Sequence, residues 1–139
     1  MDEQLILTLL SGLFGAVIAS GITIWFTVWR DSKEQKKSLA REKLEKVYGP
    51  LVALKKKIDK INKNDHAFLL PSNPAEKEMI EKILFHYYHL FDEDLKDGIM
   101  FLHPDLSRDN MIMGEAIRLK VVDKIFTHYH KNRKILGLK

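Results

Sequence analysis

The stretch LILTLLSGLFGAVIASGITIWFTVW, Leu5 to Trp29, decides how the rest of this chain is read. It runs 25 residues without a charge, in a 139-residue chain of which 30% is charged. As an α-helix it is roughly 37 Å long, against ~30 Å of bilayer hydrocarbon. That length crosses a membrane with some tilt, or with its last turn among the headgroups. A cleaved signal peptide requires a basic leader and a shorter apolar core. The leader here is MDEQ, which is acidic. A buried core helix this long requires a large soluble protein around it, and the remaining residues are too few.

The flanks give a direction. Asp2 and Glu3 precede the span; Arg30, Lys33, Lys36, Lys37, Arg41, Lys43 and Lys46 follow it. The positive-inside rule then predicts a single-pass membrane protein, N-terminus outside and C-terminus cytosolic. Trp25 and Trp29 sit at the cytosolic end, where an aromatic belt belongs. With Arg30, Lys33, Lys36 and Lys37 they make the expected membrane interface. The chain has no cysteine, which excludes disulfides and thiolate metal sites and agrees with a reducing compartment.

Small residues pattern the span itself. Ser11, Gly15, Ala19 and Thr23 step by four, and Gly12, Ala16 and Ser20 form a neighbouring row. In lipid such a face lets helices approach closely, so it predicts self-association.

Charge is uneven beyond the span. Arg30 to Asp65 carries 12 basic and 6 acidic residues, net +6, while His66 to the end carries 11 of each. A basic surplus beside a membrane attracts anionic lipid headgroups, and these are the expected partners. Nucleic-acid binding would need stacking aromatics interleaved with the bases or a known module, and neither is present.

The segment DSKEQKKSLAREKLEKVYGPLVALKKKIDKINKN reads as one basic helix. Leu44, Val47, Leu51, Leu54, Ile58 and Ile61 step 3, 4, 3, 4, 3, an a/d seam. Pro50 removes a backbone donor and clashes with the carbonyl four residues back, so a kink or restart belongs there. The seam keeps its register across the proline, which favours a kinked continuous helix. DHAFLLPSNP is a loop that leads to Asn73 as N-cap, Pro74 as the first helical residue and Glu76 in the third position. A third helix runs from Pro74 to Gly98, its C′ residue. The last runs from about Asn110 to Arg133, capped by Ser107 or Asp105. No strand alternation of any length is present. The expected fold is all-α: an anchor over 1–30, a basic juxtamembrane heptad helix over 31–64 kinked near Pro50, and a helical hairpin over 73–139. The last two segments form a cytosolic bundle of about three helices.

Glu42, Lys43, Leu44, Tyr48, Pro50 and Leu51 spell E-K-L-x-x-x-Y-x-P-L after the anchor. In that layout the chain resembles a recurring class of small bacterial and prophage single-pass membrane proteins. The resemblance covers about the first half of the chain. It implies a phage-related or mobile-element setting and carries no active site with it.

Chemistry-bearing residues are few. EKILFHYYH from Glu81 and DKIFTHYHK from Asp123 echo one another. On helices, Ile80, Ile83, Leu84, Tyr87 and Phe91 share one face, and Val121, Val122, Ile125, Phe126 and Tyr129 share another. The echo thus predicts a core pair, Ile83–Tyr87 against Ile125–Tyr129. His86 and His128 lie at the rim, and His89 points away. A metal site or a protonation switch are the rival readings of these histidines. Their i, i+3 and i, i+2 spacings do not converge three ligands, so no metal is expected. Asp92 to Gly98 fails the calcium-loop pattern, with Lys96 and Asp97 at its fifth and sixth positions. It reads as a solvated acidic helix end. His103, Asp105, Ser107, Arg108 and Asp109 share one loop, but loops are rich in such residues, and no nucleophile elbow or phosphate loop accompanies them.

The expectation is therefore a non-enzymatic, cofactor-free, membrane-anchored helical assembly module. Its partner is a second copy or another membrane or cytosolic protein. The alternative is a homo-oligomeric pore or membrane-perturbing effector in phage defence, exclusion or lysis.

Overall fold

The computed structural model describes residues 3–61, 73–103 and 111–138. All elements among the described residues are helical. Helix α1 runs Glu3–Lys43, passes through a five-residue π-turn over Leu44–Tyr48, and continues as α2, Gly49–Ile61. Then come α3, Pro74–His86; a 3-10 turn, Tyr88–Leu90; α4, Glu93–Ile99; another 3-10 turn, Met100–Leu102; and α5, Met111–Ile135. The chain divides into two compact units, Met1–Lys37 and Ser38–Lys139.

In the first unit Leu13, Phe14, Val17, Ile18, Ile22, Ile24 and Trp25 are all 60–69% exposed. Three of its hydroxyls bond their own helix instead. Ser20 Oγ donates to the Ala16 carbonyl at 2.7 Å, Thr23 to Ala19 at 2.9 Å and Thr27 to Thr23 at 2.9 Å. Polar groups satisfied by their own helix leave an outer surface suited to hydrocarbon. Among the described residues one helix is long and apolar enough to cross a membrane.

The second unit is built on the seam. Leu44, Val47, Leu51, Leu54 and Ile58 are buried; the side chain of Ile61 lies outside the described residues. The seam packs within the chain, against Ile80, Ile83 and Leu84 of α3, Leu95 and Ile99 of α4, and Val121, Val122 and Ile125 of α5. Tyr48, Val52 and Lys55 are buried as well, so the covered face is wider than a two-position seam. Lys55 lays its apolar stem in the core and ion-pairs with Asp59.

Gly49 and Pro50 explain the π-turn. Pro50 has no N–H, and its ring crowds the carbonyl of Lys46 in a regular α-turn. The wider π-turn relieves that crowding, with the Gly49 N–H bonded to the carbonyl of Leu44, five residues back. A Cβ on Gly49 would collide with that same carbonyl oxygen. Glycine is required here by a close approach, since its backbone is ordinary right-handed helix. The helix is continuous across Pro50, and the disturbance takes the form of one extra residue in a turn.

Asn73 caps α3, accepting the Glu76 N–H at 2.9 Å with Pro74 in the first turn. The third helix, however, is not continuous to Gly98. It stops at His86, and Phe91 and Asp92 are extended before α4 begins. The break turns Asp92 inward under Tyr48, where it finds hydrogen bonds that a regular helix would not offer. Gly98 is not a C′ residue but lies inside α4. A Cβ there would meet Val121 Cγ2 at 2.7 Å, so glycine lets α4 approach α5. Just past the end of helix α5 stands Gly137, the one positive-φ residue described (φ 73°). The Leu138 N–H reaches Arg133 O at 2.9 Å and the Gly137 N–H reaches Lys134 O at 3.1 Å, the Schellman arrangement. The caps Asp105 and Ser107 expected for α5 fall outside the described residues.

Candidate functional site

Two features of the chain lie outside ordinary packing. One is the exposed helix of the first unit. The other is a polar clasp in the second unit, where helices α1, α4 and α5 meet the π-turn.

The clasp is centred on Asp92. Tyr48, fully buried, donates its hydroxyl to Asp92 Oδ2 at 2.6 Å and accepts the Asp92 backbone N–H at 3.2 Å. Lys43 Nζ donates to Asp92 Oδ1 at 3.0 Å. The His128 ring stacks on the Tyr48 ring, centroids 5.8 Å apart, and Phe91 meets Tyr48 edge-on at 6.1 Å. His128 Nε2 lies 2.9 Å from Asp94 Oδ1. Its Nδ1 lies 3.2 Å from Asp92 Oδ2 but off the hydrogen-bonding axis. That contact is not a hydrogen bond, and Nδ1 is the one buried side-chain polar atom without such a partner among the described residues. Lys124 closes the outer side, 3.5 Å from Asp94 Oδ2 and 2.6 Å from the Asp94 carbonyl. Asn132 bonds the His128 carbonyl at 2.7 Å and fixes the turn that carries it.

Burial of Asp92 works to raise its carboxyl, but the bonds from Tyr48 and Lys43 and the Lys43 charge outweigh it and hold the group below the usual carboxylate range. The Tyr48 phenol is pushed far above its usual range, first by burial and then by donating to Asp92. Both groups keep one protonation state across neutral pH. The clasp is thus a fixed ionic rivet between the helix entering from residue 38 and the bundle.

Several expected residues sit elsewhere than the sequence suggested. The acidic segment is not merely a solvated helix end, since Asp92 is half-buried and Asp94 holds His128. His86 and His128 are not equivalent rim positions. His86 is exposed and His128 buried, because α3 ends at His86 and its helical face cannot be extended past it. His89 is exposed. Ile83 and Ile125 are buried, and Tyr87 and Tyr129 are partly buried against the same core. Phe91, placed on the helix face with them, is buried from the extended segment instead. Among the described residues no three histidine, aspartate or glutamate side chains converge to hold a metal ion. His103 meets Phe85 edge-on at 5.8 Å and lies 3.9 Å from Glu81; Asp105, Ser107, Arg108 and Asp109 fall outside the described residues.

In the first unit Gly12 and Gly15 have nothing within 4 Å of where a Cβ would be, and Ala16, Ala19, Ser20 and Thr23 are exposed. Ser11's side chain lies outside the described residues. Trp25, Trp29, Arg30, Lys33, Lys36 and Lys37 are all exposed, and Lys33 Nζ stands over the Trp29 ring, 4.3 Å from its centroid. Phe26 and Trp29 tilt together at 6.0 Å.

Of the six expected motif residues after the anchor, Lys43 and Tyr48 hold Asp92, Leu44 and Leu51 are core, and Glu42 pairs with Lys46 at 2.7 Å. Compared with family models, with curated proteins and with solved structures, the chain matches none.

Proposed function

We propose that the chain is a membrane-anchored, non-enzymatic assembly module: a single span carrying a small helical unit on the cytosolic face of a bacterial membrane. The observation that supports this most is the first unit's exposed apolar surface. A run of large apolar side chains about 60% exposed is unstable in water, at ~25 cal/mol for each Å² left wet, and hydrocarbon removes that cost. The second unit consumes its own seam internally, so assembly falls to the membrane helix, whose Gly12 and Gly15 leave room for another backbone. The hydroxyls of Ser20, Thr23 and Thr27, each donating to its own helix backbone, favour an anchor over a water-lined pore. The phage-related setting belongs to the same proposal and rests on the motif from Glu42 to Leu51.

The test is the mass of the purified protein in a mild detergent. The module reading expects an oligomer that Gly15→Leu converts to monomer, with vesicles carrying the wild-type oligomer remaining tight to ions. A wild-type monomer unaffected by Gly15→Leu overturns assembly through this face, and ion flux through the vesicles overturns the anchor in favour of the pore.

A further inference from the structure

We infer that the two turns of helix after the span, Arg30 to Lys37, bind the headgroups of anionic phospholipids and gather them around the protein. The inference rests on the membrane-anchor reading and goes beyond it by naming the lipid class.

Geometry carries it. At about 100° per residue, Trp25, Trp29, Lys33, Lys36, Lys37 and Arg30 fall within an arc of about 140°, and Asp31 and Glu34 fall outside it. All of these residues are exposed. The only acidic contact described for them is Arg30 Nε to Asp31 at 4.0 Å, too long to neutralise either group. The basic side chains of this arc are not consumed within the fold, unlike Lys43, Lys46 and Lys55, which hold Asp92, Glu42 and Asp59.

The order along the axis fits a lipid rather than an acidic protein. Two indoles come first, then the cations. One helical turn, about 6 Å, separates Trp29 from Lys33, and the headgroup layer is about 5–7 Å deep on each side. With the Trp29 ring at the glycerol level, the Lys33 ammonium over it stands at the height of the phosphates. Lys36 and Lys37 follow about 10–12 Å beyond Trp29, outside that layer but within a Debye length of its charge. A zwitterionic lipid offers the same phosphate but places its own cation beside it. An anionic lipid such as phosphatidylglycerol leaves the negative charge uncompensated, and the basic arc selects it.

Trp25 and Trp29 are the only tryptophans in the chain, so they report on the lipids beside this arc. The full protein is reconstituted in phosphatidylcholine vesicles containing one-tenth phosphatidylglycerol, with bromine on the acyl chains of one lipid or the other. Brominated phosphatidylglycerol is expected to quench the indoles as though enriched about fivefold over its bulk share, the Boltzmann weight of a single lysine at an anionic surface. Raising the salt to molar strength removes the excess. The quadruple variant Arg30→Gln, Lys33→Gln, Lys36→Gln, Lys37→Gln brings it down to the bulk share while quenching by brominated phosphatidylcholine stays as before. Quenching that follows the bulk share in the wild type, or an excess that survives the quadruple variant, overturns the lipid inference. Absence of quenching by either brominated lipid instead overturns the membrane anchor on which it rests.

Discussion

Replacing Asp92 by alanine tests the clasp most sharply. The carboxylate is the acceptor for a fully buried phenol and for Lys43, whose side chain is 15% exposed. Without it the Tyr48 hydroxyl still accepts the backbone N–H of residue 92, but its own proton has no partner. An orphaned buried donor costs ~1–3 kcal/mol, and with the lost Lys43 bond the change comes to about 3 kcal/mol. For a unit of this size that lowers the melting temperature on the order of 15 °C. Tyr48→Phe alone costs about 1.5 kcal/mol, because Asp92 keeps Lys43. In the Asp92→Ala background the same Tyr48→Phe change costs less, since it removes the unpartnered hydroxyl proton and gives up only the bond from the residue 92 N–H. The assay is thermal unfolding of the full chain in detergent micelles, followed by circular dichroism, for the four members of the cycle. Equal costs for Tyr48→Phe in both backgrounds, or a shift below about 3 °C for Asp92→Ala, refute the clasp.

Other consequences follow from the same geometry. Asp92 has a lowered folded-state pKa, so its contribution is present above the unfolded aspartate value near 3.9 and lost as pH falls through the folded value. Stability measured from pH 6 down to pH 2 falls on acidification, and Asp92→Asn flattens that limb; an unchanged acid slope contradicts it. Gly49→Ala gains helix propensity worth about 1 kcal/mol but collides with the Leu44 carbonyl, so the melting temperature falls by an amount equivalent to ~1–3 kcal/mol. A rise instead means that the turn is regular α-helix in solution. Gly98→Ala drives its methyl against Val121 Cγ2 and destabilises by roughly 1 kcal/mol or more. That cost shrinks in a Val121→Ala background, and strict additivity argues against close contact of α4 and α5.

Much of this architecture was legible because it is local or periodic. The long apolar helix needs only composition and length. The seam from Leu44 to Ile58 needs only its 3–4 spacing, and the Asn73-Pro74 start needs only capping chemistry. Gly49-Pro50 announced a disturbance, although a π-turn and a kink have the same sequence signal. The clasp was not legible. Tyr48 and Asp92 stand 44 residues apart, and no spacing rule links a phenol on one helix to a carboxylate after another. The break at Tyr87 also left no mark, because no proline or glycine punctuates HYYHLFDE. It is the tertiary bond to Tyr48 that overrides the helical pattern there. Once α3 stops at His86, the symmetry between the two His-Tyr stretches ends, and His128 alone is drawn into the interior.

The central claim is that residues 5–29 cross a membrane with the helical unit on the inner side, and cysteine labelling tests it directly. The chain has no cysteine of its own, so Asp2→Cys and Ser38→Cys each give a single reporter. Intact spheroplasts are treated with a membrane-impermeant maleimide, with and without lysis. The account predicts that Cys at position 2 labels in intact cells and Cys at position 38, exposed on the helix, labels only after lysis. Equal labelling of both positions in intact cells, or of neither before lysis, contradicts the crossing.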